Sequence, residues 1–273
     1  MFLRKYHGLG NDYLVLEDAQ SLTLDANLVR RICDRHRGPG ADGVLEPLPG
    51  EGADHSLRIW NPDGSTAEKS GNGLRIFARW LVDHRGASAE HTVGLPCGVV
   101  RCVVGPADIT VDMGRATFVP AQIPCVQALE QTPVDVAGTQ LRLTAVGVGN
   151  PHCVVFCDQP LDGLPWREWG SALEVHELFP NRTNVQFARV VSETRIDARI
   201  WERGAGETSA SGSSSCAIAA AAVQLGLTGR QLEIGMPGGT LWVTVSPDWA
   251  ITLRGPVAEI GRVSLSAAWL NRG

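Results

Sequence analysis

The chain is poor in the features that would put it in a membrane, on a secretory route or on nucleic acid. No apolar run approaches the roughly 20 residues of a membrane-crossing helix. The longest, around residues 217–223, is short and rich in alanine, as a tightly packed central helix would be. The first seven residues lack the apolar core of a signal peptide and read as an edge or first strand. A formal net charge of -5 gives no basic footprint for nucleic acid or an anionic membrane surface. The seven cysteines are odd in number and scattered, with no C-x-x-C, so free thiols in a reducing cytosol are expected and a metal site is not. Cys153 and Cys157 would share a strand face but find no histidine partner there. There is no Gly-rich dinucleotide fingerprint and no PLP-lysine motif, and no cofactor is expected.

What is present is the balance of a soluble globular protein. The 273 residues are 44% hydrophobic and 19% charged, enough for one large domain or two ordinary ones with ample core. One stretch occurs twice. The first copy runs from Asp63 through Glu68 and Ser70-Gly71-Asn72-Gly73 into the apolar run 74–80. The second runs from Gly204 through Glu207 and Ser211-Gly212-Ser213 into the apolar run 216–222. Each joins a Gly-rich loop, an acidic residue and a Ser-Gly pair to a stretch fit for a buried helix. A Ser-Gly pair heading such a helix leaves backbone N–H groups open at the positive end of the dipole. That is a seat for a carboxylate or a developing oxyanion, and two seats suggest one ligand gripped from both sides.

The repeat extends beyond these loops. Gly10-Asn11 and Gly149-Asn150 stand 139 residues apart, each ahead of a strand-like run, and Ser70-Gly71 and Ser211-Gly212 stand 141 apart. Agreement in order and offset argues for a duplicated αβ half rather than common turn pairs recurring by chance. In the first half, residues 14–17 and 55–60 read as strands, 25–35 as a helix capped by Asp25, and 74–83 as a helix. Residues 98–104 and 108–113 read as a hairpin. In the second half, strands are expected at 141–146, 153–156, 184–190, 196–202, 231–234, 241–245 and 250–253. A helical region is expected at 161–178 and a helix around Cys216. The expected fold class is α+β, two pseudo-repeated halves, each a sheet rolled around a central helix, with the active site in the cleft. Residues 1–118 with 262–273 would make one half and 119–261 the other.

Taken in order, a set of motifs resembles the diaminopimelate epimerase family over nearly the whole chain. They are His7-Gly-Leu-Gly-Asn11-Asp12-Tyr13, Gly40-Ala-Asp-Gly43, Asn61-Pro-Asp-Gly64, Gly71-Asn-Gly73, Gly149-Asn-Pro-His152, Arg182-Thr-Asn184-Val, Glu202-Arg-Gly-Ala-Gly-Glu-Thr208, Met236-Pro-Gly-Gly239 and Gly255-Pro256. The resemblance implies a cofactor-independent epimerase or racemase of lysine biosynthesis that inverts one α-carbon of an amino acid. An α-proton beside a carboxylate is a very weak acid, so its removal needs a base on one face, an acid on the other and N–H groups for the carboxylate. In the family two thiols at helix starts serve in turn as base and acid. The resemblance places them at Ser70 and Ser211, and both are serine here.

That departure leaves three readings. The serines are deliberate Cys→Ser changes in an epimerase, or mark a divergent paralogue with another reaction on an amino-acid-like substrate, or belong to an amino-acid binder without chemistry. Ser213-Ser214-Ser215 also departs from a Thr-Gly-Ala type run, which speaks for a natural loop. By resemblance, Asn61, Asn150, Asn184, Glu202 and Arg203 would hold the distal ammonium and carboxylate, with Asn11 nearby. The backbone at Gly71, Asn72, Gly212 and Ser213 would hold the reacting carboxylate. Val44 stands where many members carry a glutamine that touches the substrate. His152 reads as a hydrogen-bonded structural histidine and Cys216 as a small buried hydrophobe. The expected partner is a small-molecule amino acid, with no nucleic acid, no membrane and a homodimer left open; the expected location is cytoplasmic.

Overall fold

Strand residues that are buried on both sides decide this architecture. A computed structural model describes residues 1–17, 23–50 and 52–271, and the chain divides into two compact units, Met1–Val111 with Gly255–Gly273, and Asp112–Arg254. In the first unit Phe2–Gly8 is a first strand but not an edge. It pairs antiparallel with Asn11–Leu16 on one side and with Ala258–Ser264 on the other. Asn11–Leu16 continues in parallel to Val44–Leu48, which pairs antiparallel with His55–Trp60. Glu90–Leu95 lies parallel to His55–Trp60 and antiparallel to Gly98–Val104.

Alternate residues of these strands serve two helices, as the period of two requires. Leu3, Leu14, Leu16 and Trp60 pack with Val29 and Ile32 of α1 (Ala26–Cys33). Asp25 caps α1 by accepting the Leu28 N–H at 2.8 Å, as the sequence leads one to expect. The other face meets α2 (Gly71–Arg85), in which Leu74, Ile76 and Phe77 are fully buried, each contributing about 1.5–3 kcal/mol of hydrophobic burial. The expected start at residue 74 is three residues late. The Gly-Asn-Gly run has poor helix propensity, but Ser70 caps the helix from its own position and packing does the rest.

The second unit repeats this plan. Thr139–Gly147 pairs antiparallel with Thr132–Val136 and with Pro151–Phe156, and the latter lies parallel to Asn184–Ser192. Arg195–Glu202 follows antiparallel to Asn184–Ser192 and lies parallel to Gln231–Met236, which pairs with Gly239–Val245. On one face Trp166, Trp169 and Leu173 of α3 (Trp166–Glu174) pack with Val185 and Phe187. The expected helical region at 161–178 is therefore a 3-10 turn, Leu161–Gly163, then α3. On the other face lies α4 (Gly212–Gln224), fully buried from Cys216 to Ala222; its alanines let the strands approach on every side. The protein is thus α+β, two pseudo-repeated halves, each a sheet with a central helix. Among the described residues no helix is long and apolar enough to cross a membrane.

Candidate active site

The two Ser-Gly pairs adopt one geometry. Ser70 has φ -140° and ψ 120°, Ser211 has φ -141° and ψ 125°, and each is the N-cap of its unit's central helix. Ser70 Oγ accepts the Gly73 N–H at 3.0 Å, and Ser211 Oγ accepts the Ser214 N–H at 3.5 Å. Ser70 is half-buried and Ser211 is 4% exposed. Gly71 and Asn72 open α2, and Gly212 and Ser213 open α4, so first-turn N–H groups cluster beside each hydroxyl. The two Gly-Asn loops match as well. Gly10 and Gly149 both take positive φ, 92° and 89°, which a residue with a Cβ rarely adopts.

In the first unit the loops are wired in one direction. The fully buried Arg75 donates to the Gly71 carbonyl at 3.1 Å and to Asn72 Oδ1 at 2.7 Å. Because a guanidinium can only donate, the Asn72 carboxamide oxygen faces Arg75 and its NH2 faces Asn11, donating to Oδ1 at 3.0 Å. Asn11 in turn donates to Asp42 Oδ2 at 2.9 Å. A cation at one end and a carboxylate at the other therefore fix both amides. Asp42 also accepts from the Asp12 N–H at 3.0 Å and from Arg35 at 2.6 Å. Burial opposes ionisation of Asp12, but hydrogen bonds from Arg35 and Lys5 outweigh it and hold its carboxyl below the usual range. Asn61 lies in the turn that follows His55–Trp60, where its NH2 donates to Ser65 Oγ at 3.0 Å.

In the second unit the wiring is neutral. Gln186 Nε2 donates to His152 Nδ1 at 3.0 Å and to Ser214 Oγ at 3.1 Å, so His152 carries its proton on Nε2 and gives it to Asn150 Oδ1 at 2.8 Å. Burial, then the positive charge of Arg203, pushes His152 down to about 3. It is the structural histidine expected, and Cys216 is fully buried. Asn184 is committed to the backbone: it donates to the Pro151 carbonyl at 2.9 Å and accepts the Arg203 N–H at 3.0 Å. It ties the Asn150 loop to the Glu202-Arg203 turn, and the Arg203 side chain is exposed.

Two residues given no role in the sequence reading, Glu174 and the motif residue Tyr13, complete these loops. Glu174, 6% exposed, accepts from Trp201 Nε1 at 2.8 Å, from the Gly204 N–H at 2.7 Å and from Arg182, and so anchors the turn that carries Arg203. Tyr13 places its phenol oxygen 3.1 Å from Ser70 Oγ. Both pairings join residues distant in sequence, so no local pattern announces them. Among the described residues no group of His, Cys, Asp and Glu is arranged to hold a metal ion.

Comparison with known proteins places this geometry. The family model described as diaminopimelate epimerase matches residues 3–119 and 144–259. The chain is 41% identical to "Diaminopimelate epimerase 2" of Nostoc sp., over 96% of this chain and 94% of that one. It is 36% identical to the diaminopimelate epimerase of Synechococcus elongatus, over 97% and 98% of the two chains. Among solved structures, a probable proline racemase from Agrobacterium radiobacter with bound carbonate superposes with a TM-score of 0.74 at 16% identity, over 97% of this chain and 93% of that one. A hydroxyproline epimerase from Agrobacterium vitis gives 0.69 at 15% identity, over 97% and 90%. At such identities these two show the shared fold alone. With matched loops in both halves and full-length relatives at 36–41% identity, the chain belongs to the diaminopimelate epimerase family.

Proposed function

We propose that Ser70 and Ser211 handle the proton on opposite faces of one α-carbon, in an epimerase-type isomerase whose substrate is diaminopimelate or a close amino acid with two charged ends. The isomerase class, cofactor-independent and acting at an amino-acid α-carbon, follows from the family. The roles of the serines rest on one observation: two N-cap hydroxyls share the same φ and ψ to within a few degrees at the heads of two repeated helices. The first-turn N–H groups at Gly71, Asn72, Gly212 and Ser213 would take the reacting carboxylate as charge develops on it. The distal end would be held by the Asn150 loop and the Glu202-Arg203 turn, where an ammonium and a carboxylate find opposite charges. Asn184 then acts mainly by holding those two segments together, and Asn11, Asn61 and Asn72 shape the first unit's share of the site.

Serine is a far weaker acid than a thiol, and it needs help from a neighbouring group to exchange a proton with carbon. Replacing Ser70 and Ser211 together by cysteine tests the scaffold apart from that handicap. Helix N-termini favour a thiolate, so the double variant should invert L,L-diaminopimelate faster than the unsubstituted chain, and each single variant should gain much less. A double variant that binds diaminopimelate and leaves its α-proton in place would remove these positions from the chemistry.

A further inference from the structure

Tyr13 points from the strand Asn11–Leu16 toward the head of α2, and its ring is 7% exposed. Its place is built into the fold. Gly43 lies against the ring so closely that an added Cβ would stand 2.6 Å from Tyr13 Cε1 and 2.5 Å from the Trp60 carbonyl oxygen. The phenol oxygen then lies 3.1 Å from Ser70 Oγ, while the Gly73 N–H reaches the same oxygen at 3.0 Å. The hydroxyl of Ser70 is thus set between an ionisable group and a fixed donor.

Two comparisons within the molecule show that this contact is particular. Tyr6 stands opposite Tyr13 in the strand register, yet its hydroxyl goes to Glu259 Oε2 at 2.9 Å and His84 at 3.1 Å, at the far end of α2. In the second unit the repeat equivalent of Tyr13, at the 139-residue offset of the Gly-Asn loops, is His152. Its ring serves Asn150 and Gln186, and Ser211 Oγ receives the Ser214 N–H at 3.5 Å. The two serines share a backbone geometry and differ in their side-chain partner.

We propose that Tyr13 acts through the hydroxyl of Ser70, passing the proton to and from the α-carbon by way of that serine, an assignment that rests on Ser70 being an acid–base group. In the forward step the Cα–H bond breaks and its proton goes to Ser70 Oγ as the Ser70 hydroxyl proton passes to the Tyr13 phenolate. The electron pair of the C–H bond stays on the substrate as the carbanion, and Tyr13 ends as the neutral phenol. Protonation of the carbanion from this face is the same step reversed, and charge is conserved in both directions. A phenol ionises near pH 10, a range no unassisted alkyl hydroxyl reaches. The tyrosine therefore supplies the acidity and the serine the reach.

The test measures α-proton exchange of L,L- and meso-diaminopimelate in deuterated water by NMR, with diaminopimelate binding followed by calorimetry. Tyr13→Phe keeps the ring against Gly43 and removes only the hydroxyl. It should slow exchange by about 100-fold or more, the usual worth of a general acid–base group, with binding retained. Adding Ser70→Cys to Tyr13→Phe should restore exchange, because a thiol has its own acidity. Exchange in Tyr13→Phe equal to wild type overturns the role of Tyr13 and leaves Ser70 in place. Loss of exchange that Ser70→Cys does not restore makes Tyr13 a structural support and also overturns it. A wild-type chain without exchange, beside an active Ser70→Cys/Ser211→Cys double variant, rejects the phenol relay while the two positions stand. No exchange in any of these chains rejects both the relay and the serine assignment.

Discussion

Trp60 and Trp201 stand 141 residues apart, the spacing of Ser70 and Ser211, and each gives its indole N–H at 2.8 Å to a buried glutamate, Glu46 in one unit and Glu174 in the other. Each tryptophan sits near the end of the strand that leads into a loop of the site. The glutamates differ in what else they hold. Glu46 also accepts from Arg58, whereas Glu174 also takes Arg182 and the backbone N–H of Gly204.

Glu174→Ala should therefore cost about 2 kcal/mol, because the indole N–H of the half-buried Trp201 and the Gly204 N–H lose their acceptor together. It should also weaken diaminopimelate binding by loosening the turn that carries Arg203. Urea unfolding and calorimetry on the same sample check both effects. A loss of stability with ligand affinity unchanged would separate Glu174 from the site.

Arg203→Ala should weaken binding of a dicarboxylate amino acid by about 2 kcal/mol, the worth of a charge-assisted pair, and affect a monocarboxylate amino acid much less. The guanidinium is exposed and its backbone N–H is fixed by Asn184, so its removal leaves the fold intact. Equal losses for both ligands would make Arg203 a general contributor to charge and not a reader of the distal carboxylate.

Arg75→Met should destabilise the protein by about 3 kcal/mol, since the Asn72 and Gly71 oxygens it serves lose a buried donor. Its more specific mark is on direction. Without the cation only Asp42, acting through Asn11, still obliges the Asn72 NH2 to face Asn11, and side-chain amide exchange of both asparagines should speed up in NMR. Slow exchange in a folded variant would show that Asp42 alone sets the order.

His152 gives the protein an acid-sensitive term. Its folded value near 3 lies below its ordinary 6.5, so the unfolded chain takes up a proton that the folded one refuses. Stability present above pH 6.5 is lost as pH falls toward 3, at about 1.4 kcal/mol per unit. Between pH 7 and pH 5 the chain with His152 should lose about 2 kcal/mol more than His152→Gln in urea unfolding. Parallel curves for the two proteins would contradict a neutral buried imidazole.

Much of this was legible in the chain. His55–Trp60 reads as a strand because it alternates and ends at an Asn-Pro turn, and α1 announces itself through Asp25. The serines stood out because their loops repeat. The register that makes Phe2–Gly8 an interior strand was not legible, since its second partner, Ala258–Ser264, lies at the other end of the chain and is largely exposed. The same holds for Tyr13 and Ser70: the strand pattern gives the tyrosine's face, but only the packing of α2 and the bare Gly43 bring its hydroxyl to the serine. The bonds of Asn184 to the Pro151 carbonyl and the Arg203 N–H were not legible, because a motif gives position and leaves hydrogen-bond partners open.

The most direct test is to incubate the chain with both serines in place with L,L-diaminopimelate in deuterated water and follow both the α-proton signal and the appearance of the meso isomer. Two serines working on opposite faces predict meso product carrying deuterium at the inverted carbon, and loss of that product in both Ser70→Ala and Ser211→Ala. Diaminopimelate that binds but neither exchanges nor inverts would contradict it.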